Sequence, residues 1–192
     1  VPIQHRYNLD EGLHDIEKYF HKVIDAGIAP LTAGGDHSIT YPILKAVGRD
    51  APVGLVHVDA HCDTDGWIGN SKFYHGAPFR NAVLDGVLDP ERTIQVGIRG
   101  PSEPVWEFSY ESGMTVIHIE DFVELGVKEV IRKAREVVGD GPTYISFDVD
   151  GLDPAYAPGT GTPESGGLTT REAQALIRGL RGLNRVGGDV PA

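Results

Sequence analysis

Short apolar, β-branched segments alternate with segments of helical periodicity along the chain, and this alternation limits the possible folds most strongly. Residues 53–59 are predicted to form a buried strand, and Pro78 begins a helix predicted to run to Val87. Strands that alternate with helices form a parallel sheet, because each connection crosses one face of the sheet. The predicted fold class is therefore α/β, a three-layer α/β/α arrangement with a mostly parallel sheet.

The same patterns define the other elements. Asp10 is the predicted N-cap of a first helix that ends at Gly27, and Ser38 the predicted cap of a second helix ending at Val47. A long helix is predicted over residues 121–138, and Thr169 with Glu172 forms a capping box for a helix through Leu180. Further strands are predicted at residues 28–33, 93–98, 114–119, 143–149 and 186–190, with loops at 64–74 and 153–167.

Composition narrows the classes of partner. The chain has 192 residues, with 28 Asp and Glu against 17 Lys and Arg, a net charge of −11. Such an acidic chain is unsuited to nucleic acid or an anionic membrane, although it could attract a cationic substrate or metal cations. Cys62 is the one cysteine, which excludes an internal disulfide and favours a cytoplasmic protein. We expect residues 1–192 to belong to a single domain.

Three short polar segments carry the chemistry, and each lies where a predicted strand ends. Ligands of open parallel sheets bind beyond the carboxyl ends of the strands. The segments are Gly34-Gly35-Asp36-His37-Ser38, Asp59-Ala60-His61-Cys62-Asp63 and Ser146-Phe147-Asp148-Val149-Asp150.

The spacing within these segments indicates a metal site. Residues two apart point to the same side of an extended chain, so Asp59, His61 and Asp63 should converge. Asp148 and Asp150 should converge in the same way, and His37 adds a second imidazole. Clustered carboxylates repel each other unless cations neutralise them, and a pair of divalent ions would do so. Oxygen-rich ligands favour Mn²⁺, while zinc remains possible on ligand type alone. Cys62 faces the other way and is interpreted as a small buried residue.

The three segments resemble the signatures of the ureohydrolases, the family of arginase and agmatinase. The third signature continues from Ser146 through Gly151-Leu152-Asp153-Pro154 to Pro158-Gly159-Thr160-Gly161-Thr162-Pro163. Two further pieces, His75-Gly76-Ala77-Pro78-Phe79-Arg80 and Gly97-Ile98-Arg99-Gly100, are similar to the agmatinase-like members. The resemblance extends over residues 32–190.

This resemblance implies a metal-dependent hydrolase that cuts a guanidino group and releases urea. It implies two Mn²⁺ ions per chain, with His37 and Asp63 on one ion, His61 and Asp150 on the other, and Asp59 and Asp148 on both. A two-metal site generates a strong nucleophile from water near neutral pH. Asp63 would also orient that nucleophile, and His75 matches a histidine that carries protons to and from the site. Without the resemblance, His75 would be interpreted as an ordinary loop histidine.

Agmatine is the leading expected substrate, and guanidinobutyrate and guanidinopropionate are the alternatives. The loop at residues 64–74 is the predicted specificity loop, with Trp67, Asn70 and Lys72 as candidates to contact the substrate tail. Lys72 or Arg80 could select a carboxylate tail, or both could be solvated surface charges. A hydrolase of another amidine, a zinc deacylase and a non-catalytic metal-binding fragment are the other hypotheses.

By comparison with the family, the chain is expected to be shortened at both ends. In the family, a segment equivalent to Gly187–Val190 leads into a glutamate that holds the guanidinium group, and no such residue follows here. The resemblance also implies a homo-oligomer, a trimer or a hexamer.

Overall fold

The computed structural model describes residues 1–5, 7–100 and 103–192, apart from the side chains of residues 103–105. Six parallel strands form one sheet in the order β1-β6-β5-β2-β3-β4. The strands are β1 (Leu31–Ala33), β2 (Val53–Val58), β3 (Leu88–Ile98), β4 (Thr115–His118), β5 (Thr143–Phe147) and β6 (Arg185–Val190).

Helices connect these strands. They are α1 (Leu9–Asp25), α2 (Thr40–Val47), α3 (Pro78–Leu84), α4 (Glu103–Ser112), α5 (Ile119–Leu125), α6 (Val127–Val138) and α7 (Thr170–Gly179). Short 3₁₀ turns occupy His37–Ile39 and Val149–Gly151. Among the described residues, no helix is both long and apolar enough to cross a bilayer.

Helices cover both faces of the sheet, which confirms the predicted α/β/α class. On β2, Leu55 packs into the cluster formed with α1, α2 and α3, whereas Val56 packs into the cluster formed with α5, α6 and α7. Neighbouring strand residues point to opposite faces, so both sides of β2 are buried. His57 has the parity of Leu55 and therefore lies on the α1–α3 side.

Several predicted element boundaries were wrong. The first helix is capped by Asn8, not Asp10, because the Asn8 side chain accepts a hydrogen bond from the Glu11 amide. Residue 28 does not begin β1, since its amide bonds to the Val23 carbonyl as α1 ends. Near Ser38, a 3₁₀ turn capped by Asp36 precedes α2.

Glycine explains the largest correction. The single helix predicted over residues 121–138 is two helices, because Gly126 adopts a φ of +74° and turns the chain between α5 and α6.

Helix α4 was not predicted at all, and α3 ends at Leu84 and not at Val87. The capping box of Thr169 and Glu172 is confirmed.

The strand order brings the polar segments to one edge of the sheet. Strands β2 and β5 are neighbours, so Asp59 and Asp148 follow them side by side. Strand β1 lies two positions from β5, on the far side of β6, and leads into His37. The carboxyl ends of all these strands face the same way because the sheet is parallel.

Candidate metal centre

The segment after β2 supplies three of the charged side chains. Asp59 and His61 follow the strand directly, and the chain turns at Asp63, which has a φ of +51°. A positive φ is unfavourable for a residue with a Cβ and costs about 1–3 kcal/mol. The turn is held by the Phe79 amide, which donates to the Asp63 carbonyl. It directs the Asp63 carboxylate toward His37.

His37 lies at the centre of three carboxylates. Its Nδ1 atom is 2.8 Å from Asp63 Oδ2, 3.1 Å from Asp59 Oδ2 and 3.3 Å from Asp148 Oδ2. On the other side of the ring, Nε2 lies 2.8 Å from the Ser146 hydroxyl. The Ser146 contact fixes the ring so that Nδ1 faces the carboxylates.

His61 and Asp150 form the second half of the centre. His61 Nδ1 is 3.0 Å from Asp150 Oδ2 and 3.3 Å from Asp59 Oδ1. The Ala60 amide and the Thr162 hydroxyl donate to the two oxygens of Asp150, at 3.0 Å and 2.9 Å. Asp59 thus contacts both histidines and occupies the position shared by the two halves.

The pKa values show how strongly these groups depend on one another. Burial raises the pKa of Asp148 to about 7, and the charges of Asp59 and Asp150 add to the rise. Burial opposes the charge on His61, but hydrogen bonds to Asp150 and Asp59 raise its pKa to about 11. Burial acts against the charge of Asp59 as well, yet its contacts with three histidines bring its pKa well below the usual range. In the absence of a metal, the raised pKa values of His37 and His61 let protons on these two histidines offset part of the acidic charge.

The arrangement fits a pair of divalent cations. Within the described residues, no hydrogen bond of normal geometry reaches the buried His37 Nδ1, so this atom can bind a metal once it has lost its proton. Ligand atoms of Asp59, His61 and Asp150 lie within 4.8 Å of one another. Two imidazoles and four carboxylates form a mixed nitrogen and oxygen donor set suited to ions such as Mn²⁺.

The structure thus brings all six predicted ligands together. His57 also lies close to His37 and Asp59. However, its Nε2 atom is engaged by Asp59 Oδ2 at 2.8 Å, and its ring is fully buried below the centre. His57 therefore contacts Asp59 from the buried side and is not one of the six predicted ligands.

A cavity of about 360 Å³ opens above the centre. Its lining includes His37, His61, Asp63, Asp148 and Asp150, while Asp59 lies below it and is 1% exposed. Among the described residues that line the cavity, none is a lysine or an arginine. The cavity therefore presents acidic groups and imidazoles to a bound molecule.

His75 lies in the cavity wall, where a proton carrier would be needed. Trp67, Asn70 and Lys72 lie outside the described lining, and the Trp67 side chain is exposed. Lys72 Nζ is 5.1 Å from the centre of the Phe73 ring, and Arg80 packs over Phe108. The role of the loop residues in specificity stays a prediction.

Several residues of the site had no predicted role. Asp65 and Trp106 line the cavity, Ser146 supports His37, and Gln95 lies beneath the centre. Asp65 stands two residues after Asp63, but the chain turns at Asp63, so the alternation of an extended strand does not explain its position. Ser146 stands two residues before Asp148, and this spacing was a usable signal. Cys62 is buried, as predicted, and burial raises its pKa to about 12. The prediction that it faces away from His61 and Asp63 was wrong, because Cys62 lines the cavity together with both of them.

Comparison with known proteins agrees with this geometry. The family model "Arginase family" matches residues 1–191. A guanidinopropionase from Pseudomonas aeruginosa is 55% identical over 95% of this chain and 58% of its own length. A mitochondrial agmatinase from Gallus gallus is 50% identical over 96% of this chain and 55% of its own length.

Solved structures give the same result. The proclavaminate amidino hydrolase from Streptomyces clavuligerus superposes with a TM-score of 0.92 at 38% identity, covering 96% of this chain and 62% of that protein. Arginase from Bacillus subtilis superposes with a TM-score of 0.88 at 28% identity, covering 100% of this chain and 73% of that protein. The chain spans little more than half the length of the two curated relatives above. From its sequence, its fold and its cluster of histidines and aspartates, the chain belongs to the arginase family of ureohydrolases.

Proposed function

We propose that this protein is a manganese-dependent hydrolase that cleaves a guanidino C–N bond and releases urea and an amine. The observation that carries the proposal is the placement of His37 Nδ1 within 3.3 Å of three carboxylates at the floor of an open cavity. His37 and Asp63 would hold one ion, His61 and Asp150 the other, and Asp59 and Asp148 both. When bound, a metal pair lowers the pKa of water and so permits hydrolysis near neutral pH.

The protein's own groups would handle the protons. The Asp63 carboxylate faces the cavity and can accept a hydrogen bond from the attacking water. His75 lies in the cavity wall, and its imidazole can take up a proton and deliver it to the leaving amine. These roles require side chains that reach the same cavity, a requirement that both residues meet.

Charge in the cavity favours agmatine, whose tail ends in an ammonium group. Four ligand carboxylates would balance the four positive charges of two divalent ions. Asp36 and Asp65 also line the cavity and would add two acidic groups to those that hold the ions. None of the described residues that line the cavity is a lysine or an arginine. A cationic substrate tail would therefore be attracted and a carboxylate tail repelled.

A guanidino acid is the second candidate, favoured by the relatives. Besides the guanidinopropionase, a human guanidino acid hydrolase is 48% identical and a guanidinobutyrase from Pseudomonas aeruginosa is 44% identical. A carboxylate tail would need a cationic partner, for which Lys72 and Arg80 are the nearby candidates. In the structure, both side chains lie over aromatic rings, and neither is among the described residues that line the cavity.

Urea release separates these possibilities. The chain would be incubated with Mn²⁺ and agmatine, 3-guanidinopropionate or 4-guanidinobutyrate, and urea would be measured. We expect Mn²⁺-dependent urea, most rapidly from agmatine, and none from an Asp148→Asn variant. Asp140→Asn is the matched control, since Asp140 is exposed and remote from the cavity. Mn²⁺ binding without urea from any of the three would contradict the proposal and support a non-catalytic metal-binding protein.

A further inference from the structure

We propose that Gln95 and His57 are positioning residues that hold Asp59 toward the metal pair through one fixed chain of hydrogen bonds. The inference rests on the proposed metal site but not on the identity of the substrate. Neither residue is among the described residues that line the cavity, so each would act on the metal site through Asp59.

The two residues lie side by side in the sheet. His57 on β2 is in register with Gln95 on β3 and with Ser146 on β5. In-register residues of neighbouring strands point to the same face, so the three form a polar row across the sheet. All three side chains are fully buried. Such a row is costly in a core unless its hydrogen bonds are specific.

The Cys62 carbonyl fixes the orientation of the Gln95 amide. Gln95 Nε2 lies 2.6 Å from that carbonyl, which can only accept, so the NH₂ group and not the oxygen must face it. The same nitrogen lies 3.1 Å from His57 Nδ1. Its second hydrogen therefore points to Nδ1, which must act as the acceptor.

This assignment determines the tautomer of His57. With Nδ1 accepting, the ring hydrogen is on Nε2, which lies 2.8 Å from Asp59 Oδ2 and donates to it. The ring is also packed against Phe79, with the ring centres 4.3 Å apart, so it cannot easily rotate. Asp59 Oδ1 accepts from the His61 amide at 2.6 Å. Both oxygens of Asp59 are thus held from the protein side, and their remaining lone pairs would be available to the metal ions.

The chain of hydrogen bonds leaves one group unsatisfied. Within the described residues, the buried Gln95 Oε1 has no hydrogen-bond partner. An apolar residue would fill this place without that penalty, so the amide is better explained by the orientation it gives His57.

The test measures the His57 tautomer and the Mn²⁺ affinity, not turnover. The ring nitrogens of ¹⁵N-histidine-labelled, metal-free protein would be observed by NMR, with His57 identified by the signals missing in His57→Asn. We expect the wild type to carry the ring hydrogen on Nε2 alone. In Gln95→Met, which keeps the length of the side chain but removes its donors, we expect both tautomers and a roughly 10–100-fold loss of Mn²⁺ affinity.

Gln174→Met is the matched control, because Gln174 is exposed on α7. It should leave both readouts unchanged. A wild-type ring hydrogen on Nδ1 would overturn the proposal, as would a folded Gln95→Met protein with wild-type Mn²⁺ affinity. If Gln95→Met does not fold, the wild-type tautomer alone decides. A wild type that binds no Mn²⁺ would defeat the proposed function, while the tautomer would still test the orientation of His57.

Discussion

His61 Nδ1 lies 3.0 Å from Asp150 Oδ2, although the two residues follow different strands of the sheet. Asp150 is also held by the Ala60 amide and the Thr162 hydroxyl, so its carboxylate is oriented before any ion arrives. Preorganisation of this kind lowers the cost of binding a cation, because little side-chain entropy remains to be lost.

Replacing Asp150 should therefore impair metal binding more than replacing a supporting residue. We expect Asp150→Asn to weaken Mn²⁺ binding by more than the roughly 10–100-fold typical of residues behind a ligand. Titration calorimetry of the metal-free protein would measure the affinity, with Asp140→Asn as the control. Equal affinities for wild type and Asp150→Asn would remove Asp150 from the ligand set.

Metal binding should release protons and strengthen with pH. The raised pKa of His61, about 11, and that of Asp148, about 7, mean that both groups hold protons in the metal-free protein at mildly acidic pH. Ligands must lose those protons to bind a metal. Calorimetry at pH 7.5 in buffers with different ionisation enthalpies should reveal proton release, and His61→Asn should reduce it. Affinity independent of pH between 6 and 9 would contradict this account.

The same shifts make the stability of the metal-free protein depend on pH. Because His61 binds its proton more tightly when folded, its contribution is complete below the unfolded pKa and disappears as pH approaches 11. Asp148 also holds its proton more tightly when folded, so its effect reduces stability as pH rises from about 4 to 7. We expect the melting temperature of the metal-free protein to fall with pH across both windows. Asp148→Asn should remove most of the fall in melting temperature between about pH 4 and pH 7.

Gly100 allows His61 to occupy its position. A Cβ at residue 100 would lie 2.4 Å from His61 Cδ2, too close for the imidazole to remain where it is. We expect Gly100→Ala to displace His61 and to weaken Mn²⁺ binding by at least tenfold, or roughly 1.4 kcal/mol. Gly159→Ala is the control, since a Cβ there meets nothing within 4 Å. Similar affinities for the two variants would show that His61 tolerates the shift.

Arg99 ties the loop after β5 to the end of β3. Its guanidinium donates to the carbonyls of Asp150 and Glu164 at 2.7 Å and to that of Gly97 at 3.1 Å. Arg99→Ala would leave these partly buried carbonyls without their donor and should reduce the free energy of unfolding by roughly 2–4 kcal/mol. Urea denaturation would measure the loss. Arg178→Ala, at an exposed position on α7, should change the free energy by less than about 0.5 kcal/mol.

Asp65 should influence the choice of substrate tail. It lines the cavity, and within the described residues its buried Oδ1 atom has no hydrogen-bond partner. Asp65→Asn should lower kcat/KM for agmatine and leave that for 3-guanidinopropionate unchanged or higher, shifting the ratio by roughly tenfold or 1.4 kcal/mol. A ratio equal to that of Asp140→Asn would exclude Asp65 from substrate selection.

The sequence by itself determined which side chains reach the carboxyl edge of the sheet. Asp59 and His61 are two residues apart at the end of a strand. Side chains alternate in direction along a strand, so this spacing is sufficient to predict that the two residues share a side. The capping box at Thr169 was equally local, because Thr169 and Glu172 lie within a single helical turn. Gly126 carried a local signal too, since glycine readily adopts the positive φ that separates α5 from α6, but helical periodicity on both sides of it concealed the break.

Only the tertiary structure decided which residues support those side chains. Gln95 meets His57 because β3 lies beside β2, and Ser146 reaches His37 because β5, β6 and β1 are successive neighbours. Strand order is a property of the whole sheet, and no local period encodes it. The turn at Asp63, the acidic lining at Asp65 and the burial of Asp59 likewise depend on contacts between segments far apart in the chain. The physical reason is that periodicity fixes the direction of a side chain, whereas packing fixes what it meets.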